Sequence, residues 1–365
     1  MTEAVPVALE PLYQLSEDEL ATRIEQAKTD LGERCVILGH HYQREEVYRY
    51  ADLTGDSLKL ARLASQKPDA DYIVFCGVHF MAEVADILSS PQQTAILPDM
   101  AAGCSMADMA DLPAVEDCWQ QLAKALDPDA RITPITYVNS AADLKAFCGD
   151  HGGTVCTSSN AAHVLKWAFG EREKVLFFPD QHLGRNTGAA LDIPLEQMVL
   201  WKPNEPMGGL TREEIDRAKI ILWDGFCSVH QAFLPEHIDQ WRERIPGVQV
   251  ICHPECSYEV CSNSDALGST EQIQTAVRSA PAGSKFVIGT ELNLVNRLKG
   301  EMPEKEIHFL SPTICMCSTM FRIDPQHLCW TLENLREGHV VNPIAVPQKV
   351  AESAKVALER MLAIM

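Results

Sequence analysis

Short apolar runs alternate along the chain with stretches in which apolar residues recur every three or four positions. Cys35–Gly39 is one such run, and Tyr72–Phe75, Val175–Phe178 and Ile220–Trp223 are apolar throughout, as expected of strands covered on both faces. Ser57–Ser65, Ala82–Leu88, Ala161–Phe169 and Glu271–Ser279 carry the helical spacing. This alternation predicts parallel strands joined by crossover helices on both faces of each sheet. Ser16-Glu17-Asp18-Glu19 is a capping-box pattern that opens a helix running to about Gly32, and Thr211-Arg212-Glu213-Glu214 opens another. A helix over Pro325–Arg336 stops at Gly338. A last helix follows Pro347, with Val350, Ala354, Ala357, Met361 and Leu362 on one face, and is expected to pack back on the first unit.

The pattern repeats. Residues 35–104 lie on residues 248–317 with a constant shift of 213 and no gap, so that His40 meets His253, Gly55-Asp56-Ser57 meets Gly268-Ser269-Thr270, and Cys104 meets Cys317. A middle copy runs from Ile132–Tyr137 through Thr157–Asn160 and Lys174–Phe178 to Cys227. His40 to Cys104 and His253 to Cys317 are both 64 residues, whereas Tyr137 to Cys227 is 90, so the middle copy carries an insertion, at about 184–209. A long irregular connection of this kind is a lid, a binding loop or a passive insertion. A unit repeated at this length implies stacked or pseudo-symmetric packing around a shared core. The expected fold is therefore α/β, with three pseudo-threefold-related α/β/α domains, each holding a short parallel sheet, around a central site. The units expected are 17–103 with the C-terminal helices 325–365, then 104–226, then 227–324.

Composition narrows the partners. A formal net charge of −20 over 365 residues argues against nucleic acid or an anionic membrane as the main partner and leaves small anionic substrates open. No apolar run approaches the length of a bilayer span, and the first residues lack a signal-peptide pattern. Thirteen scattered cysteines read as reduced thiols in the cytoplasm.

In open parallel sheets ligands bind beyond the carboxyl ends of the strands. Those ends are polar here: Gly39-His40-His41-Tyr42, Tyr137-Val138-Asn139-Ser140 and His253-Pro254-Glu255-Cys256. The second elements open helices with Asp56-Ser57, Thr157-Ser158 and Ser269-Thr270, hydroxyls placed to hold a carboxylate or phosphate as well as to cap. Cys104, Cys227 and Cys317 occupy one place in the three copies and are the candidate metal ligands; Cys315 is the neighbour that competes with Cys317. Three thiolates about a threefold axis suit a 4Fe–4S cluster with one iron open to substrate, with three-thiolate zinc as the alternative. Cys35, Cys76, Cys118, Cys148, Cys156 and Cys329 read as small buried hydrophobes. Cys252, Cys256 and Cys261 do not have radical S-adenosylmethionine spacing, and Cys252 falls inside a strand. His40, Tyr42, His253 and Glu255 form the acid/base set, with Glu255 as proton acceptor and Tyr42 or an imidazole acting on an oxygen.

Taken in order, the strings GHHYQ (Gly39–Gln43), ADLTGDSLKLA (Ala51–Ala61), GVHFMAE (Gly77–Glu83), YVNS (Tyr137–Ser140) and CTSSNA (Cys156–Ala161) resemble the quinolinate synthase family. FPDQHLGR (Phe178–Arg185), CSVHQ (Cys227–Gln231), HPEC (His253–Cys256), GST (Gly268–Thr270) and the three separated cysteines extend the resemblance over the chain from about Cys35 onward. The resemblance implies condensation of iminoaspartate with dihydroxyacetone phosphate, with loss of phosphate and water, to give quinolinate for NAD biosynthesis. It implies a 4Fe–4S cluster on Cys104, Cys227 and Cys317 and a site lined by His40, Ser57, Tyr137, Asn139, Ser158, His253, Glu255 and Thr270, with His230 supporting it. It also implies an aspartate-oxidising enzyme as a transient partner. The chain departs from members with C-x-x-C-x-x-C at the third ligand, having Cys315-Met316-Cys317. Two readings compete: an aconitase-like hydro-lyase for another hydroxy acid, and an iron–sulfur redox sensor, which would need a basic or DNA-reading element that is not evident.

Overall fold

The computed structural model describes residues 6–64, 69–313 and 316–364. Thirteen strands form three parallel sheets. The first holds β1 (Cys35–His40), β2 (Leu53–Gly55), β3 (Tyr72–Cys76) and β4 (Thr94–Ile96). The second holds β5 (Ile132–Tyr137), β6 (Thr154–Cys156), β7 (Lys174–Phe178), β8 (Met198–Trp201) and β9 (Ile220–Trp223). The third holds β10 (Gln249–Cys252), β11 (Ala266–Leu267), β12 (Lys285–Gly289) and β13 (Glu306–Phe309). A further strand, β14 (Pro343–Ile344), pairs antiparallel with β4 at the edge of the first sheet.

The sheets share one topology. Their orders are β2-β1-β3-β4, β6-β5-β7-β9-β8 and β11-β10-β12-β13. The repeat holds down to hydrogen-bond register: the pair Leu38↔Leu53 moves by 213 to Ile251↔Ala266, and Val36↔Ile73 moves by 213 to Gln249↔Phe286. Every residue of β5, β7 and β9 is buried, which is why these runs are apolar rather than alternating. The polar exceptions are bonded: Thr133 Oγ1 donates to Ala168 O at 3.2 Å and Thr136 Oγ1 to Ser140 Oγ at 2.8 Å. The third sheet has its own core of Phe233, Ile238, Val250, Val260, Val287 and Leu310, with Trp241 and Phe309 against it.

The chain divides into two compact units, Met1–Cys104 with Cys317–Val346, and Ser105–Met316 with Pro347–Met365. The second and third sheets therefore lie in one unit. In the first unit the Glu17–Leu31 helix opens with the expected capping box: Ser16 Oγ accepts from Glu19 N, and Glu19 Oε2 from Ser16 N. It packs on the Pro325–Arg336 helix, with Arg23 Nε donating to the buried Glu333 at 2.7 Å.

Two expectations are corrected. The last helix, Gln348–Ala363, does not join the first sheet; it packs in the second unit on the Ala142–Asp150 helix and β6. The reason is close approach. A Cβ on Gly149 would stand 2.1 Å from Ser353 O, and Thr154 Oγ1 donates to Ala357 O at 3.1 Å. Ala354, Ala357, Leu358 and Met361 are buried, while Val350 and Leu362 are only partly covered. The 184–209 segment is not one long irregular loop either. It contributes the end of the Gln181–Ala189 helix and β8, whose apolar residues pair in parallel with β9. Gly208, at φ 63°, lies over Trp201, where a Cβ would meet the indole at 2.3 Å. No helix among the described residues is long and apolar enough to cross a membrane.

Candidate active site

The shared register sets the candidate residues at equivalent points. β1 pairs His40 with Gly55, and β5 pairs Tyr137 with Cys156. Two residues beyond each first partner come Tyr42 and Asn139; two beyond each second come Ser57 and Ser158. In the third sheet, where Cys252 pairs with Leu267, the same places fall to His253, Glu255 and Thr270. Ser57 and Thr270 are the first residues of their helices, and Ser158 lies in the turn before the Ala161–Glu171 helix.

The first unit carries His40, Tyr42, Ser57, Cys104 and Cys317. His40 is buried, and its Nδ1 accepts the Tyr42 N–H at 3.1 Å, which leaves the ring proton on Nε2. The half-buried Tyr42 ring stands edge-on to the imidazole, with centroids 5.0 Å apart. Cys104 and Cys317 are half-buried, and Cys317 Sγ lies 3.4 Å from Thr319 Oγ1. Cys315 lies outside the described residues.

The second unit gathers Tyr137, Cys227, His230, His253 and Glu255, drawn from both of its sheets. Glu255 is 3% exposed. Its Oε1 accepts from Tyr137 Oη at 2.6 Å, and its Oε2 lies 2.8 Å from His230 Nδ1. The His230 and His253 rings stack at 4.8 Å, and His253 Nδ1 accepts the Glu255 N–H at 3.3 Å, repeating the His40 turn. Thr290 Oγ1 lies 3.4 Å from His230 Nε2, and Gln231 Nε2 donates to Glu255 O at 3.4 Å. Donor atoms of Cys227, His230 and Glu255 lie within 4.8 Å of one another, a set able to hold a metal ion.

Electrostatics follows from this burial. Desolvation alone would raise the Glu255 pKa, but His230, then His253, and hydrogen bonds from His230 and Tyr137 hold it down to about 2. Burial pushes His253 down to about 3 against the pull of Glu255, and His230 adds to the fall. At neutral pH the carboxylate is thus ionised and His253 is neutral, with Nε2–H available as a donor.

Two atoms point to a ligand. Asn139 Oδ1 and the Oγ1 of the buried Thr270 have no hydrogen-bond partner among the described residues. Buried polar groups are rarely left so. Asn139 is one of the three matched strand-end residues and Thr270 one of the three matched helix-start residues.

Other residues escape a reading of the chain alone. Asp180 is fully buried, caps Leu183 N at 2.7 Å and is held well above the ordinary carboxylate range by burial, then by the Glu255 charge. The Cys227 N–H also reaches it. Asn186, Gln231 and Thr290 likewise touch the Glu255 segment or His230. Asp180, three residues before the amide it caps, was the one with a readable local signal.

The fold and the site define an α/β enzyme with carboxylate, imidazole, phenol and hydroxyl groups at the carboxyl ends of parallel strands. Residues 22–363 match the family described as quinolinate synthetase A protein, NadA, and the chain belongs to that family. The quinolinate synthase of Corynebacterium glutamicum is 56% identical over 355 residues, covering 97% of this chain and 90% of that protein. That of Herpetosiphon aurantiacus is 55% identical over 367 residues, covering 99% and 98%. That of Rhodopirellula baltica is 53% identical over 367 residues, covering 98% and 93%. The chain is accordingly an enzyme of the quinolinate synthase kind, with a role in NAD biosynthesis.

Proposed function

We propose that the chain condenses iminoaspartate with dihydroxyacetone phosphate to form quinolinate, with loss of phosphate and water. The observation that carries the reading is Glu255: an ionised carboxylate sealed from water, braced by Tyr137, His230 and His253, beside the Cys227 thiol. Glu255 is assigned to take a proton from carbon next to a carbonyl or imine, the step needed for both carbon–carbon bond formation and phosphate elimination. Tyr42 is assigned to protonate or polarise a substrate oxygen. His40 and His253, protonated on Nε2, donate to ligand oxygens, while Ser57, Ser158, Thr270, Tyr137 and Asn139 bind the carboxylates and phosphate. His230 holds the Glu255 carboxylate in place.

Cys104, Cys227 and Cys317 would hold a 4Fe–4S cluster. The donor set fits: thiolates suit iron–sulfur ligation, and these three are half-buried whereas the other described cysteines, Cys35 excepted, are buried. A bound cluster with three protein ligands supplies a Lewis acid for a hydroxyl or carbonyl oxygen. We place the chain in the cytoplasm, where thiols stay reduced, with an aspartate-oxidising enzyme as the transient source of the imine.

The test incubates anaerobically purified, iron-loaded protein with dihydroxyacetone phosphate and freshly made iminoaspartate, and measures quinolinate. Product formation is expected; its absence with the iron intact would overturn the proposal.

A further inference from the structure

Asn186, on the Gln181–Ala189 helix, is 4% exposed. Its Nδ2 donates to Pro254 O and to Cys256 O, each at 2.8 Å, and lies 3.1 Å from Cys261 Sγ. Those carbonyls flank Glu255. One side-chain amide thus grips the backbone on both sides of that residue. The Asn186 Oδ1 is buried with no partner among the described residues. An orphaned acceptor is destabilising, so what an asparagine gains here is the pair of hydrogen bonds it donates to the Pro254 and Cys256 carbonyls.

The helix that carries Asn186 is a firm mount. Asp180 caps its first turn. A Cβ on Gly184 would stand 2.5 Å from Leu222 Cδ2 and 2.8 Å from Phe177 Cδ1, so the helix lies hard against β7 and β9. The segment it grips is tied elsewhere through His253 N to Gly289 O at 2.9 Å, Cys256 N to His253 O at 3.0 Å and Glu255 N to His253 Nδ1 at 3.3 Å, but the Pro254 and Cys256 carbonyls take their 2.8 Å bonds from Asn186.

We propose that Asn186 is a positioning residue for Glu255, acting on its backbone: it clamps the Pro254 and Cys256 carbonyls so that the carboxylate meets the substrate in register. The proposal rests on the assignment of Glu255 as the base. Asn186 itself transfers no proton.

The test compares steady-state kinetics of the anaerobically purified, iron-loaded full chain in four forms: wild type, Asn186→Leu, Glu255→Gln and the double variant. Thermal midpoints and iron content are measured on each. Misplacing a catalytic group by about an ångström lowers rate by about 100-fold, so Asn186→Leu is expected to lower kcat about 30- to 100-fold with KM within about threefold. The double variant is expected to be no slower than Glu255→Gln, because the clamp then has no base to place. Asn186→Ser, which keeps one donor, serves if Asn186→Leu does not fold, with a loss of about tenfold expected.

Losses that multiply in the double variant, or wild-type kcat in Asn186→Leu, overturn the clamp while the Glu255 assignment stands. Failure of both Asn186 variants to fold makes the residue structural and also overturns it. Wild-type kcat in Glu255→Gln overturns the base assignment, and the clamp falls with it.

Discussion

Deleting one hydroxyl, in Tyr137→Phe, tests whether neighbours hold the Glu255 carboxylate ionised. The ring is retained, and since Tyr137 is 4% exposed the apolar packing around it is kept. What is lost is a 2.6 Å O–H···O⁻ bond between two buried groups. A hydrogen bond to a charged partner contributes about 1.5–3 kcal/mol. At about 1.4 kcal/mol per pKa unit, the carboxyl should titrate higher by about one to two. Wild-type Glu255 titrates at about 2 against an ordinary 4.5. The variant should therefore titrate near about 3–4. The folded pKa is depressed, so the stability it contributes is complete above the unfolded pKa and is lost as pH falls towards the folded one. In Tyr137→Phe that loss is smaller in total and finishes at higher pH. Infrared titration of protein carrying carbon-13 glutamate, with the Glu255→Gln spectrum subtracted, reads the carboxyl directly. A wild-type carboxyl that titrates above about pH 5, or one unmoved by Tyr137→Phe, refutes the reasoning. Both forms remain ionised at neutral pH, so a fall in kcat there does not report protonation of the carboxylate.

Thr270→Val removes a buried hydroxyl that has no hydrogen-bond partner among the described residues, so unfolding stability should hold or rise, by up to about 1–3 kcal/mol of relieved desolvation, while KM rises about tenfold. A destabilised variant with unchanged KM would assign the hydroxyl to the fold instead. Cys104→Ala, Cys227→Ala and Cys317→Ala should each strip the iron and the visible absorbance, whereas Cys329→Ala and Cys315→Ala should keep both; equal loss in Cys315→Ala would reverse the choice between neighbours. Gly149→Val drives a side chain into Ser353 O, a backbone atom that cannot step aside cheaply, and should lower unfolding stability by about 2–3 kcal/mol in urea titration. An unaffected variant would mean that the last helix is not held where it is described.

Much of the candidate site's local geometry was legible because its residues lie at strand ends and helix starts, where sequence and local geometry are tightly linked. His40 and His253 read as equivalents from a shift of 213, and both turn out to accept the N–H two residues on through Nδ1. The capping boxes at Ser16 and Thr211 form as their spacing requires, and the structure adds another at Ser269. The environment of Glu255 was not legible. Its phenol partner, Tyr137, is 118 residues away, and its imidazole partner His230 belongs to a different strand connection. Asn186 offered no signal at all, since an asparagine inside a helix looks the same whether it faces solvent or two distant carbonyls.

Periodicity, capping residues and the threefold recurrence of one unit are written in the linear order of residues, because they depend on neighbours a few positions apart. They determined the strands, their parallel sense and the residues delivered to each sheet's carboxyl edge. Only the folded chain decided that the last helix settles on Gly149, that the inserted segment becomes a strand beside β9, and that one carboxylate is held by a phenol and an imidazole while an amide grips the backbone on either side of it. Those outcomes turn on which surfaces approach closely enough to exclude water, and that is a property of shape in three dimensions.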